Sequence, residues 1–97
     1  MIVEVKVMSR ERSTLIEVVG EQLLVNGKKK DVDTENFLRR LFCIVASWEK
    51  SMVNLSVLDG ESYSVKIDDG ENKVHYIGKN KFPSNYGKFV TLIDEVL

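Results

Sequence analysis

Two stretches of this chain read alike. Gly20-Glu21-Gln22 leads through apolar strand residues to Asn26-Gly27-Lys28, and Gly70-Glu71-Asn72 leads through another strand to Ile77-Gly78-Lys79. Each copy is followed by a helix of similar apolar pattern, starting near Asp33 and near Pro83. Internal similarity constrains architecture strongly, because one supersecondary unit is then used twice. Two copies are too few for a solenoid, which needs about three to bury a continuous core. The expectation is one domain over residues 1–97, built from two β-β-β-α halves at about 1–50 and 51–97.

A chain of 97 residues can bury somewhat more than about 60% of its unfolded surface, enough for one core without staples. Fourteen basic and fifteen acidic side chains leave a net charge of -1, without the basic excess of a generic nucleic-acid or anionic-membrane binder. A single cysteine, Cys43, excludes an internal disulfide and a multi-cysteine metal site. Ile2-Val3-Glu4-Val5-Lys6-Val7 interleaves charges and lacks the basic start and apolar run of a signal peptide. No stretch approaches the ~18 apolar residues of a membrane span. The expected location is the cytoplasm.

Val3, Val5 and Val7 alternate with Glu4 and Lys6, the period of a half-buried strand over residues 2–8. Residues 13–19 and 21–25 are two further strands, broken at Gly20, with enough β-branched residues to favour a sheet. Asn26-Gly27 predicts a type I′ hairpin turn, which needs positive φ at both central positions. Residues 28–31 then form a short return strand whose three lysines suit an exposed edge. In the second half, Val53, Leu55 and Val57 predict a strand, and Asp59-Gly60 a turn. Tyr63, Val65 and Ile67 mark the next strand, Asp69-Gly70 a second hairpin turn, and residues 72–77 the return strand. Residues 78–81 read as a loop.

Asp33 is placed to cap a helix, with Glu35 favourable in its first turn. At ~100° per residue, Phe37, Leu38, Leu41, Phe42, Ile44, Val45 and Trp48 fall within an arc of about 160°, ending near residues 48–50. Tyr86, Phe89, Val90, Leu92, Ile93, Val96 and Leu97 cover a similar arc after Pro83, a residue tolerated in a first helical turn. Hairpins followed by a helix, twice, predict an α+β two-layer sandwich, with an antiparallel sheet and both helices on one face. That face would take Val3, Val5, Val7, Val53, Leu55, Val57, Tyr63, Val65 and Ile67, leaving a mostly polar face that also carries Met8 and Met52.

Catalytic chemistry finds little support. A nucleophilic Cys43 would need a depressed pKa and a base, and Arg39 one turn earlier supplies help only with the first. The one histidine, His75, lies on a distant strand and has no second ligand to make a metal site. No nucleophile-elbow, phosphate-loop, dinucleotide or paired-carboxylate motif occurs. Asp68-Asp69-Gly70-Glu71-Asn72 is acidic, but Ile67 breaks the calcium-loop spacing and a hairpin turn explains the run. No metal or cofactor is expected.

Two binding features remain. Lys28, Lys29, Lys30, Lys79 and Lys81 are candidates to contact phosphates, and Lys79 and Lys81 precede a helix N-terminus. Against this, sheet-based readers of single-stranded RNA present aromatics on an open face, and Tyr63 is expected to point inward. Each helix also shows more apolar surface than the ~100° stripe that a sheet covers. Helix-to-helix packing accounts for the surplus; otherwise Phe42, Trp48, Phe89 and Leu92 form a partner or dimer surface.

The segment from Gly78-Lys79-Asn80-Lys81-Phe82-Pro83-Ser84-Asn85-Tyr86 to Phe89 and Leu92-Ile93 resembles a phrase of small bacterial proteins, and the resemblance implies no activity. The sequence therefore predicts a small cytosolic binding module without catalysis, acting on another protein or on itself as a homodimer. Its size and plainness suit phage accessory or immunity proteins. The alternatives are a nucleic-acid binder using the lysine-rich loops and an enzyme centred on Cys43.

Overall fold

A computed structural model describes residues 1–9, 11–54 and 60–97. Among these residues nine elements follow one another: β1 (Ile2–Met8), β2 (Ser13–Val19), β3 (Gln22–Val25), β4 (Lys28–Lys30), α1 (Thr34–Val45), β5 (Ser51–Val53), β6 (Ser62–Asp68), β7 (Lys73–Lys79) and α2 (Tyr86–Val96). The seven strands form one sheet in the order β4-β3-β2-β1-β6-β7-β5, antiparallel except where β5 runs parallel to β7. This is an α+β fold. β1 lies at the centre, flanked by the β2-β3 hairpin on one side and the β6-β7 hairpin on the other.

Local turn chemistry sets much of this. Asn26 and Gly27 both have positive φ (50° and 84°), the requirement of the I′ turn. Asn26 Oδ1 also accepts from the Leu15 amide at 2.8 Å, tying the turn to β2. Gly20 and Glu21 join β2 to β3, with Val19 paired to Gln22. Positive φ at Gly20 alone (62°) is the glycine-first pattern of a II′ turn. The second hairpin differs from expectation: Asp68 pairs with Lys73, so its loop is four residues long. The Asp69 carboxylate accepts from the Asn72 amide and then the Glu71 amide, which holds its pKa below the usual value.

Alternation then sorts the side chains. Val3, Val5, Ile16, Val18, Leu23, Val25, Tyr63 and Val65 are buried, and the strand register puts them on one face. They form one core cluster with Phe37, Leu41 and Val45 of α1, with Trp48, and with Phe89, Leu92, Ile93 and Val96 of α2. Asp33 caps α1 through a 3.0 Å bond from the Asn36 amide. The Thr34 hydroxyl donates to the Glu21 carbonyl at 3.1 Å, fixing the start of α1 against the β2-β3 turn.

Four expectations are corrected. α1 ends at Val45, before Trp48, because the chain turns there and the Trp48 amide bonds the Val45 carbonyl at 3.0 Å. α2 begins at Tyr86, three residues past Pro83. β7 continues through Gly78, read from sequence as loop: Gly78 pairs with Tyr63, whose ring covers it so closely that any Cβ there would collide with the ring. Finally, Val53, the first residue of the strand expected through Leu55 and Val57, instead ends β5, a parallel edge strand, and is exposed rather than in the core. Leu55, Val57 and Asp59 of that expectation lie outside the described residues. β1 thus lies in the middle of the sheet and β5 at its edge, and among the described residues α1 follows four strands where α2 follows three.

Candidate functional site

The apolar surplus on the helices goes into the core. Trp48 stands among Tyr63, Tyr76, Tyr86 and Phe89, with ring centroids 5.0, 6.2, 6.4 and 5.0 Å away. Such edge-to-face and tilted pairs add about 0.5–1.5 kcal/mol each beyond area burial. Trp48, Phe89 and Leu92 are therefore buried, and they cannot form the partner surface expected of them. Only Phe42 of that set stays half-exposed. Arc width alone does not say what fills an arc, and here both helices and the sheet share one aromatic cluster.

Asn85 holds this cluster together, a role that its sequence position does not reveal. It is the residue before α2, yet its side chain does not cap that helix. Its Oδ1 accepts from the Trp48 indole N–H at 2.6 Å, and its Nδ2 donates to the Ile44 carbonyl at 2.9 Å. One amide thus satisfies an orphan carbonyl near the end of α1 and the polar tip of the central aromatic. Nearby, the Tyr86 hydroxyl donates to Glu61 at 3.3 Å. Burial, then the Glu61 charge, raises the Tyr86 pKa well above the ordinary tyrosine value.

The other sequence candidates are dispersed. Cys43 is exposed in a groove of about 930 Å³ between α1 and α2, lined also by Arg39, Arg40 and Lys88. Arg40 is held there by Glu95 at 2.6 Å. His75 lies on the open face of the sheet, away from both helices, so the thiol and the imidazole are not brought together. Its Nε2 stands 2.8 Å from the Ser64 hydroxyl. Among the described residues no carboxylate bonds the other ring nitrogen, and the pair sits on a flat, exposed surface, unlike a triad with its orienting acid and oxyanion donors. Among the described residues no group of three or more His, Cys, Asp or Glu side chains is placed to hold a metal.

The lysines do not make one patch. Lys28, Lys29 and Lys30 form β4 at one edge of the sheet, and the register turns Lys29 to the open face but Lys28 and Lys30 to the helix side. Lys79 ends β7, five strand positions away, roughly 24 Å at ~4.8 Å per strand. Lys81 is exposed in the loop beyond it.

The open sheet face is the surface that stands out. Ile2, Met8, Val19, Val53 and Ile77 are 53, 50, 52, 45 and 43% exposed there. Two shallow depressions mark it. One, of about 320 Å³, lies against Ile2, Glu4, Lys66 and His75, and the other, of about 260 Å³, against Met8, Val53 and Ile77. The charged groups between them are loosely paired, with Glu4 at 3.7 Å from Lys6 and 3.9 Å from Lys66. Such exposed pairs are worth ~0–1 kcal/mol. No helix among the described residues is long and apolar enough to cross a membrane. Comparison with protein-family models, with curated proteins and with solved structures finds no match to this chain.

Proposed function

We propose that this chain is a non-catalytic binding module that engages a protein through the open face of its sheet. The reading takes the chain as a single-domain, two-layer α+β sandwich working in the cytoplasm, with four strands before α1 rather than the three of a strict β-β-β-α repeat. The observation that carries it is the set of five large apolar side chains about half exposed on one sheet face, while the wide apolar arcs of the helices are used up in the core. Surface hydrophobics scattered singly need no explanation, but several on one face mark an interaction site. The nucleic-acid alternative loses support from the separation of the lysines, and the enzyme alternative from the distance in the fold between Cys43 and His75.

Two variants that leave the core untouched test the reading. Met8→Asp with Ile77→Asp alters the open face; Arg39→Glu with Lys88→Glu alters the groove between the helices. Proteins held by the immobilised wild-type chain, a second copy included, should be lost from the first variant and kept by the second. Loss from the second alone would contradict the reading, as would retention of nucleic acid that falls steeply with salt.

A further inference from the structure

We propose that the occupant of the open face is a second copy of this chain, stacked sheet on sheet about a two-fold axis that runs along the strands between β1 and β6. The proposal rests on the preceding reading of the open face and names its partner. The order of charges across the sheet favours this pairing. The strand registers line up Glu17 of β2, Glu4 of β1, Lys66 of β6 and His75 of β7 in one row. Within these four strands acid occupies one half of the row and base the other; the row continues outward through Leu24 to Lys29 of β4, which such an axis leaves without an opposing strand. A two-fold axis between β1 and β6 exchanges the halves. Glu4 then faces Lys66 of the second copy, and Glu17 faces His75.

The next row behaves in the same way. It runs Leu15, Lys6, Ser64, Ile77, so the axis sets Leu15 against Ile77 and Lys6 against Ser64. In the row ending at Met8, the order Ser13, Met8, Ser62, Lys79 sets Met8 against Ser62 and Ser13 against Lys79. The row of Ile2 sets it against Asp68, whose carboxylate has Lys73 at 3.9 Å in its own chain, and sets Val19 against Lys73. No row opposes like charges. A two-fold axis across the strands would instead bring Lys73 against Lys79. Aligned sheets cross at about 30°, so the match is closest in the strands beside the axis, where Glu4 and Lys66 stand. Such charges set register and partner choice more than raw affinity.

The area is also of the right order. Only β1, β2, β6 and β7 run seven residues, roughly 24 Å, and at ~4.8 Å spacing they and the shorter β3, β4 and β5 make a face of roughly 600 Å². That is somewhat below the ~800 Å² per partner of a standard interface. Edge-to-edge pairing of β4 with itself is disfavoured, since it would set lysines opposite lysines.

Mixing two charge-reversed chains tests the arrangement. Sedimentation equilibrium at low salt should show a concentration-dependent dimer for the wild type. Glu4→Lys alone and Lys66→Glu alone should each weaken it by roughly tenfold or more. A one-to-one mixture of the two variants should recover the wild-type dimer mass, because Lys at 4 then faces Glu at 66 across the axis. Contacts within one chain cannot produce that recovery. A wild type that stays monomeric, or a mixture that fails to recover, overturns the proposal. If the wild type is monomeric yet Met8→Asp with Ile77→Asp still abolishes retention of other proteins, the second copy is excluded and the reading of the open face stands. If neither effect appears, both fall.

Discussion

Tyr63 shows how a single residue can serve packing at a cost. Its ring lies under Gly78, 5.0 Å from Trp48 and 5.3 Å from Tyr86. Its hydroxyl is buried, and among the described residues it has no hydrogen-bond partner. An orphaned buried hydroxyl costs about 1–3 kcal/mol. Tyr63→Phe should therefore leave the chain at least as stable at pH 7, whereas Tyr86→Phe, which loses the bond to Glu61, should cost about 1 kcal/mol. Burial, and then the Glu49 charge, raises the Tyr63 pKa above its ordinary 10.0, in the same direction as Tyr86. Both raised groups contribute stability that is complete below about pH 10 and is lost as pH rises through the folded values. Urea unfolding of the wild type should thus weaken above about pH 10, and less so in either phenylalanine variant. An equal alkaline loss in all three would refute this account of the two phenols.

Elements meet here through contacts of very different sequence range, and range decides what a sequence reveals. Asn26-Gly27 and the Asp33 cap act within three residues, so composition alone discloses them. The Asn85 latch spans 37 residues to Trp48 and 41 to Ile44, and nothing near Asn85 announces it. Gly78 looks like loop punctuation because the ring that requires it sits on the neighbouring strand. β5 reads as a core strand because Val53 belongs to an alternating run, yet it pairs along an edge and turns Val53 to the open face. The open face reads from sequence as polar apart from Met8 and Met52, because Ile2 and Val19 fall at strand ends where alternation is weak and Ile77 adjoins Gly78; Met52 instead pairs with Gly78, on the face that Tyr63 occupies. At this scale the latch is the feature to break. Asn85→Ala removes two part-buried bonds and should cost about 2 kcal/mol, measured by denaturant unfolding. Asn85→Asp keeps the bond to the indole but replaces the donor to Ile44 with an acceptor, so it should lie near the alanine variant rather than the wild type. Asp-like recovery of full stability would show that the Ile44 bond contributes nothing.

As a whole, the molecule buries one face of its sheet in a core shared with α1 and α2, and among the described residues the side chains of the other face are largely exposed. That asymmetry follows from the strand register: Val3, Val5, Ile16, Val18 and Val65 share one side, and Ile2, Glu4, Lys6 and Met8 the other. Antiparallel sheets tolerate such a wet face, but they do not require apolar residues on it. Methyl NMR over a dilution series tests the central claim most directly, because it reads both faces in one experiment. The account predicts that the methyls of Ile2, Met8, Val19 and Ile77 shift with protein concentration or with added partner, while those of Val5, Ile16, Val65 and Leu92 stay fixed. Shifts concentrated instead on the α1 and α2 residues around Cys43, with the open face unmoved, would contradict it.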